Sequence, residues 1–98
     1  MRLSENDRQA IKETCVTYFS TDEVYLFGSR VNDSASGGDI DLFIVPQAGE
    51  SAEVLFQRKM QFLVSLKQRI GDQKIDVVLA GDQSRAIERE ARIKGIRL

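Results

Sequence analysis

The chain has 98 residues, 14 basic and 15 acidic, for a formal net charge of -1. That length allows one domain with one core, residues 1–98, and the charge balance argues against a general nucleic-acid binder, whose surface needs a basic excess. The lone Cys15 rules out an internal disulfide and a cysteine cage for zinc, and zero histidines remove Ser-His and Cys-His pairs, His-ligated zinc and an imidazole base, leaving proton and metal chemistry to Asp and Glu.

In chain order, Leu3, Ala10, Ile11, Thr14, Cys15, Tyr18 and Phe19 recur at three- and four-residue spacing. With Ser4 as N-cap and Asp7 three positions on, this predicts an amphipathic helix over 5–19. Val24-Tyr25-Leu26-Phe27 is β-prone and ends at Gly28, a buried strand running into a tight turn. Ser29 to Asn32 suits a short helical turn, and Asp33 to Gly38 has the composition of a loop. A second strand is predicted over 40–45, stopped by Pro46, the only proline. Ser51 then caps a long helix lined by Val54, Leu55, Phe62, Leu63, Leu66 and Ile70 and closed by Gly71. A third strand is predicted over 74–79, and Asp82 or Ser84 opens a charged last helix with Ile87, Ala91 and Ile93 facing inward. Ile96 and Leu98 form a short docking tail. The order implies an α+β layered fold, a small mixed β-sheet with helices packed on it.

The start of the chain has no apolar h-region, and no run approaches the roughly 18 apolar residues of a membrane span, so a cytoplasmic protein in a reducing compartment is expected, without a membrane partner. The flanks of Cys15 point to burial.

The acidic residues carry the chemistry. Alternate side chains on a strand share a face, so Asp39 and Asp41 project together while Ile40, Leu42 and Ile44 line the other side. Asp76 interrupts the apolar run of Ile75, Val77 and Leu79. If its strand lies beside strand 40–45 in matching register, all three carboxylates share one patch. At about 5 Å they repel by roughly 3 kcal/mol per pair at an effective dielectric near 20, which divalent cations relieve. Carboxylate oxygens suit Mg²⁺ or Mn²⁺, ions that commonly bridge one or two carboxylates and substrate phosphates. Asp76 could also take the proton of an attacking hydroxyl. Gly28 permits close backbone approach, Ser29 offers a hydroxyl and helix-start N–H groups to phosphate oxygens, and Arg30 offers a charge-assisted contact.

Phe27-Gly28-Ser29, a nine-residue spacer, Asp39-Ile40-Asp41-Leu42 and then Ile75-Asp76-Val77-Val78 together resemble the signature of the DNA polymerase β-like nucleotidyltransferase superfamily, and within it the minimal nucleotidyltransferases. The likeness extends over nearly the whole chain, to the charged last helix and its apolar tail. It implies a polymerase β palm-like fold, catalytic and metal-binding roles for Asp39, Asp41 and Asp76, and nucleotide contacts from Gly28, Ser29 and Arg30. It also implies Mg²⁺-dependent transfer of AMP from ATP to a hydroxyl with release of pyrophosphate. Minimal members are often encoded beside a helical HEPN-type toxin, so the resemblance further implies a hetero-oligomer in which the chain is a type VII-like antitoxin adenylylating a tyrosine of that toxin.

Other readings of the same residues are weaker. A haloacid dehalogenase-like Asp-x-Asp has Thr or Val where this chain has Phe43, and Asp-x-Asp glycosyltransferases are far longer. Ser36-Gly37-Gly38 is not a Rossmann fingerprint, and an EF-hand would need a third acid and a Gly that are missing. Asp76 could instead pair with Lys74, and Arg89, Arg92, Lys94 and Arg97 fit a solvated helix face. Two functional alternatives stand beside the enzyme: a non-catalytic antitoxin or nucleotide-binding subunit that neutralises its partner by occlusion, and an accessory subunit delivering nucleotides to a small molecule.

Overall fold

The computed structural model describes residues 3–28, 39–47, 49–81 and 85–98, with side chains from Glu88 onward in the last segment. Helix α1 spans Glu5–Phe19 and begins as its cap predicts, with the Asp7 N–H donating to Ser4 Oγ at 3.0 Å. It stops at Ser20, whose φ of 55° turns the chain out of the helix while its N–H still reaches Val16 O at 3.2 Å. Strands β1 (Val24–Phe27) and β2 (Ile40–Ile44) follow, then α2 (Ala52–Ile70), β3 (Ile75–Leu79), α3 (Arg85–Lys94) and β4 (Ile96–Arg97). The Val54 N–H donates to Ser51 Oγ at 3.2 Å at the start of α2, and Gly71 closes it with a φ of 90°.

The sheet is mixed, as expected, with strand order β3-β2-β1-β4. β1 runs antiparallel to β2 and β4, and β2 runs parallel to β3 with Ile40 beside Ile75 and Ile44 beside Leu79. β2 ends at Ile44, one residue short of the predicted stop, and the Val45 N–H bonds to Glu23 O at 3.0 Å. β3 begins at Ile75 where 74 was predicted.

Among the described residues, the fourth strand is the element that the periodicity did not predict. Two residues carry no alternation to read, and β4 exists because β1 has an open edge: Ile96 pairs with Leu26, and the Leu98 N–H bonds to Val24 O at 2.9 Å. Gly95 makes the turn into it possible, since a Cβ there would overlap Ala91 O and lie 3.1 Å from Leu26 O.

One sheet face is the core. Val24, Leu26, Ile40, Leu42, Ile44, Ile75, Val77 and Leu79 bury against Ile11, Cys15 and Phe19 of α1 and Phe62 and Leu66 of α2. Each such side chain contributes about 1.5–3 kcal/mol by leaving water, and the Phe19 and Phe62 rings meet at 5.5 Å between centroids. Cys15 belongs to this core, and burial pushes its thiol up to about 12.

α3 lies on the other face, with Ala91 fully buried and the Arg92 guanidinium 5.4 Å from the Phe43 ring centre. Ile93, predicted to face inward, is 69% exposed. It sits two residues from Ala91, about 200° around the helix, so both cannot face the sheet. The side chain of Ile87, the cap at Asp82 or Ser84, the turn at Ser29 to Asn32 and the loop Asp33 to Gly38 lie outside the described residues. None of the described helices is long and apolar enough to cross a membrane.

Candidate active site

Strand alternation puts Asp41 and Phe43 on the face opposite the core, and the parallel register of β2 and β3 sets Asp41 directly beside Asp76. Burial first, then the charges of Asp76 and Asp39, raise the Asp41 pKa above its usual value; the Lys74 ammonium offsets part of this.

Asp39 immediately precedes β2. Because the Ile40 N–H bonds to Lys74 O at 3.0 Å, Lys74 stands across from Asp39, and its Nζ lies 3.5 Å from Asp39 Oδ2. The sequence allowed Lys74 as a partner for Asp76; the parallel register gives it to Asp39 instead. Both side chains are open to solvent, 74% for Lys74 and 36% for Asp39, so the pair is worth about 1 kcal/mol or less. No group of three or more His, Cys, Asp or Glu among the described residues is gathered closely enough to hold a metal ion. The donor chemistry nonetheless fits one: Asp41 and Asp76 are adjacent oxygen ligands of like charge, and Asp39, whose charge also acts on Asp41, is paired with the exposed Lys74 ammonium.

Gly28 follows directly on the Phe27 position that pairs with Asp41. Its φ is +78°, and a Cβ there would overlap Asp41 Oδ2 and lie 3.1 Å from Cγ. Glycine is therefore required twice, by the backbone and by the carboxylate occupying the space of a side chain. Ser29 and Arg30 lie outside the described residues.

The other end of this face is aromatic and basic. Tyr25 and Phe43 rings lie 6.0 Å apart, and the Tyr25 hydroxyl donates to Glu23 Oε2 at 2.9 Å, which raises its pKa. Arg92 reaches the same carboxylate at 3.5 Å while covering Phe43. Sequence reasoning placed Arg92 on a solvated helix face, and about half of its side chain is indeed exposed. It missed the packing under it. Phe43 is in phase with Asp41, and a large apolar residue on a polar face is the signal that something covers it.

The match to the family model described as polymerase beta, nucleotidyltransferase spans residues 9–98, and the chain belongs to that family. Its three described helices and four-stranded mixed sheet agree with the polymerase β-like nucleotidyltransferase fold, and nucleotidyl transfer is the general activity that membership indicates. No curated protein shows significant similarity to the chain.

Proposed function

We propose that this chain is a Mg²⁺-dependent adenylyltransferase that moves AMP from ATP to a hydroxyl of a partner protein, a tyrosine of a HEPN-type toxin in the leading reading, and so acts as an antitoxin of the minimal nucleotidyltransferase type. The observation that carries the chemistry is the side-by-side register of Asp41 and Asp76, with Asp41 disfavoured as an anion where it stands. Family membership supports nucleotidyl transfer. The sequence resemblance supports the AMP, toxin and hetero-oligomer assignments, the carboxylate donors suit Mn²⁺ as a substitute ion, and the lone Cys15 fits a reducing, cytoplasmic setting.

Asp41 and Asp76 would hold Mg²⁺, joined by Asp39 once Lys74 lets go, an exchange that costs little because the ion pair is exposed. When bound, the ion would neutralise triphosphate charge and lower the pKa of the attacking hydroxyl. In the transfer, the acceptor oxygen bonds to the α-phosphorus, the bond from that phosphorus to the bridging oxygen breaks, and pyrophosphate leaves. Asp76, the most exposed position of its strand, takes the hydroxyl proton. Phosphate oxygens would meet the Gly28 backbone beside Asp41, where Ser29 and Arg30 would add a hydroxyl and a cation.

The pairing of Asp39 with Lys74 favours a second reading, in which the chain binds and occludes its partner without turnover. One experiment separates them. Incubation with ATP, Mg²⁺ and a co-expressed HEPN-type partner should add AMP to that partner by mass spectrometry, and the Asp39→Ala/Asp41→Ala protein should add none. Unchanged transfer by that variant sinks the catalytic assignment; protection from the toxin without any transfer supports occlusion.

A further inference from the structure

The outward face of α2 is unusual for a chain in which 30% of residues are charged. Phe56 is 61% exposed, Met60 41% and Val64 61%, and their four-residue spacing puts them on one stripe. Beside Met60 and Val64 the chain forms an open groove of about 350 Å³ that also takes in Tyr18 of α1. The stripe ends in two opposite charges, Glu53 in the first turn and Lys67 in the last.

The spacing of these residues is symmetric about Met60. Phe56 and Val64 stand four positions to either side, and Glu53 and Lys67 seven positions to either side. A second α2 laid antiparallel across the first, with its own Met60 at the crossing, brings Phe56 of each copy to Val64 of the other and Glu53 of each to Lys67 of the other. Both acid–base pairs and both apolar pairs are then satisfied by one two-fold axis, the isologous arrangement that closed dimers use. A partner helix of another kind would need to supply a base and an acid at these same positions; a second copy already carries them.

We propose that two copies of this chain associate through α2 in this antiparallel arrangement centred on Met60. α2 packs on the core face of the sheet, so the dimer leaves the Asp41–Asp76 face of each copy open. The proposal does not depend on the reaction assigned to that face. The contact is one helix wide, so association is expected to be reversible and to appear at roughly tens of micromolar.

Sedimentation of the full chain over a concentration series tests it. The expected result is a monomer–dimer equilibrium that Met60→Glu weakens at least tenfold, because two like charges then meet on the axis; circular dichroism verifies that this exposed substitution leaves the fold intact. Glu53→Lys and Lys67→Glu should each weaken the dimer, and the double reversal should restore it. Met60→Cys should cross-link to its own counterpart under mild oxidation, with buried Cys15 silent. A chain that stays monomeric throughout, including one that captures a different protein through Phe56, overturns the proposal. So does a dimer indifferent to Met60→Glu, or a double reversal that fails to restore association.

Discussion

The two faces of the sheet obey opposite rules. On the core side the residues of β1, β2 and β3 are apolar and closed off by α1 and α2, and the result is ordinary stability. On the other side the same strands carry Asp41 and Asp76 side by side, like charges whose proximity costs stability, together with a glycine whose missing side chain makes room for one of the carboxylates. The difference teaches that the first face is organised for folding and the second for something the fold does not need.

Several substitutions would break or sharpen that contrast. The largest effect should come from Phe62→Ala, which removes a fully buried ring and should cost about 3–5 kcal/mol in chemical denaturation. Cys15 gives an independent readout: with its thiol pushed up to about 12 and buried, it should resist alkylation in the native protein and become labelled faster in the variant. A smaller loss, about 1–3 kcal/mol, is expected for Gly28→Ala, from a positive φ and from displacement of Asp41. This variant should also lose nucleotide binding by calorimetry, whereas a core variant that still folds should keep it.

Asp41→Asn should move the other way. A carboxylate whose folded pKa is raised favours the folded state at low pH and loses that contribution as pH rises through the raised value. The metal-free Asn variant should therefore melt higher than wild type at neutral pH, by on the order of a few degrees. The gain should be complete above the raised pKa of Asp41 and fade toward 3.8, its ordinary value, as pH falls. A variant less stable than wild type at pH 7 would mean that Asp41 helps hold the fold.

The contrast between faces was legible in the sequence where it rests on alternation. Ile40, Leu42 and Ile44 against Asp41 are enough to assign sides, and the Asp41–Asp76 neighbourhood needs only a parallel register. What alternation does not encode is what covers an edge or a face. β4 arises from an open strand edge, Ile93 was misplaced because Ala91 already fixes the orientation of α3, and the partner of Lys74 depends on a register one residue deep. Gly28 was read as room for phosphate; the structure shows first that it is room for Asp41.

The most direct test of the central claim, that the aspartate face is organised for a divalent cation and nucleotide, is calorimetric titration of Mn²⁺ into the full chain with ATP present. Wild type is predicted to bind both, and Asp41→Asn/Asp76→Asn to bind at least a hundredfold more weakly while remaining folded. Equal binding by the two proteins would contradict the account.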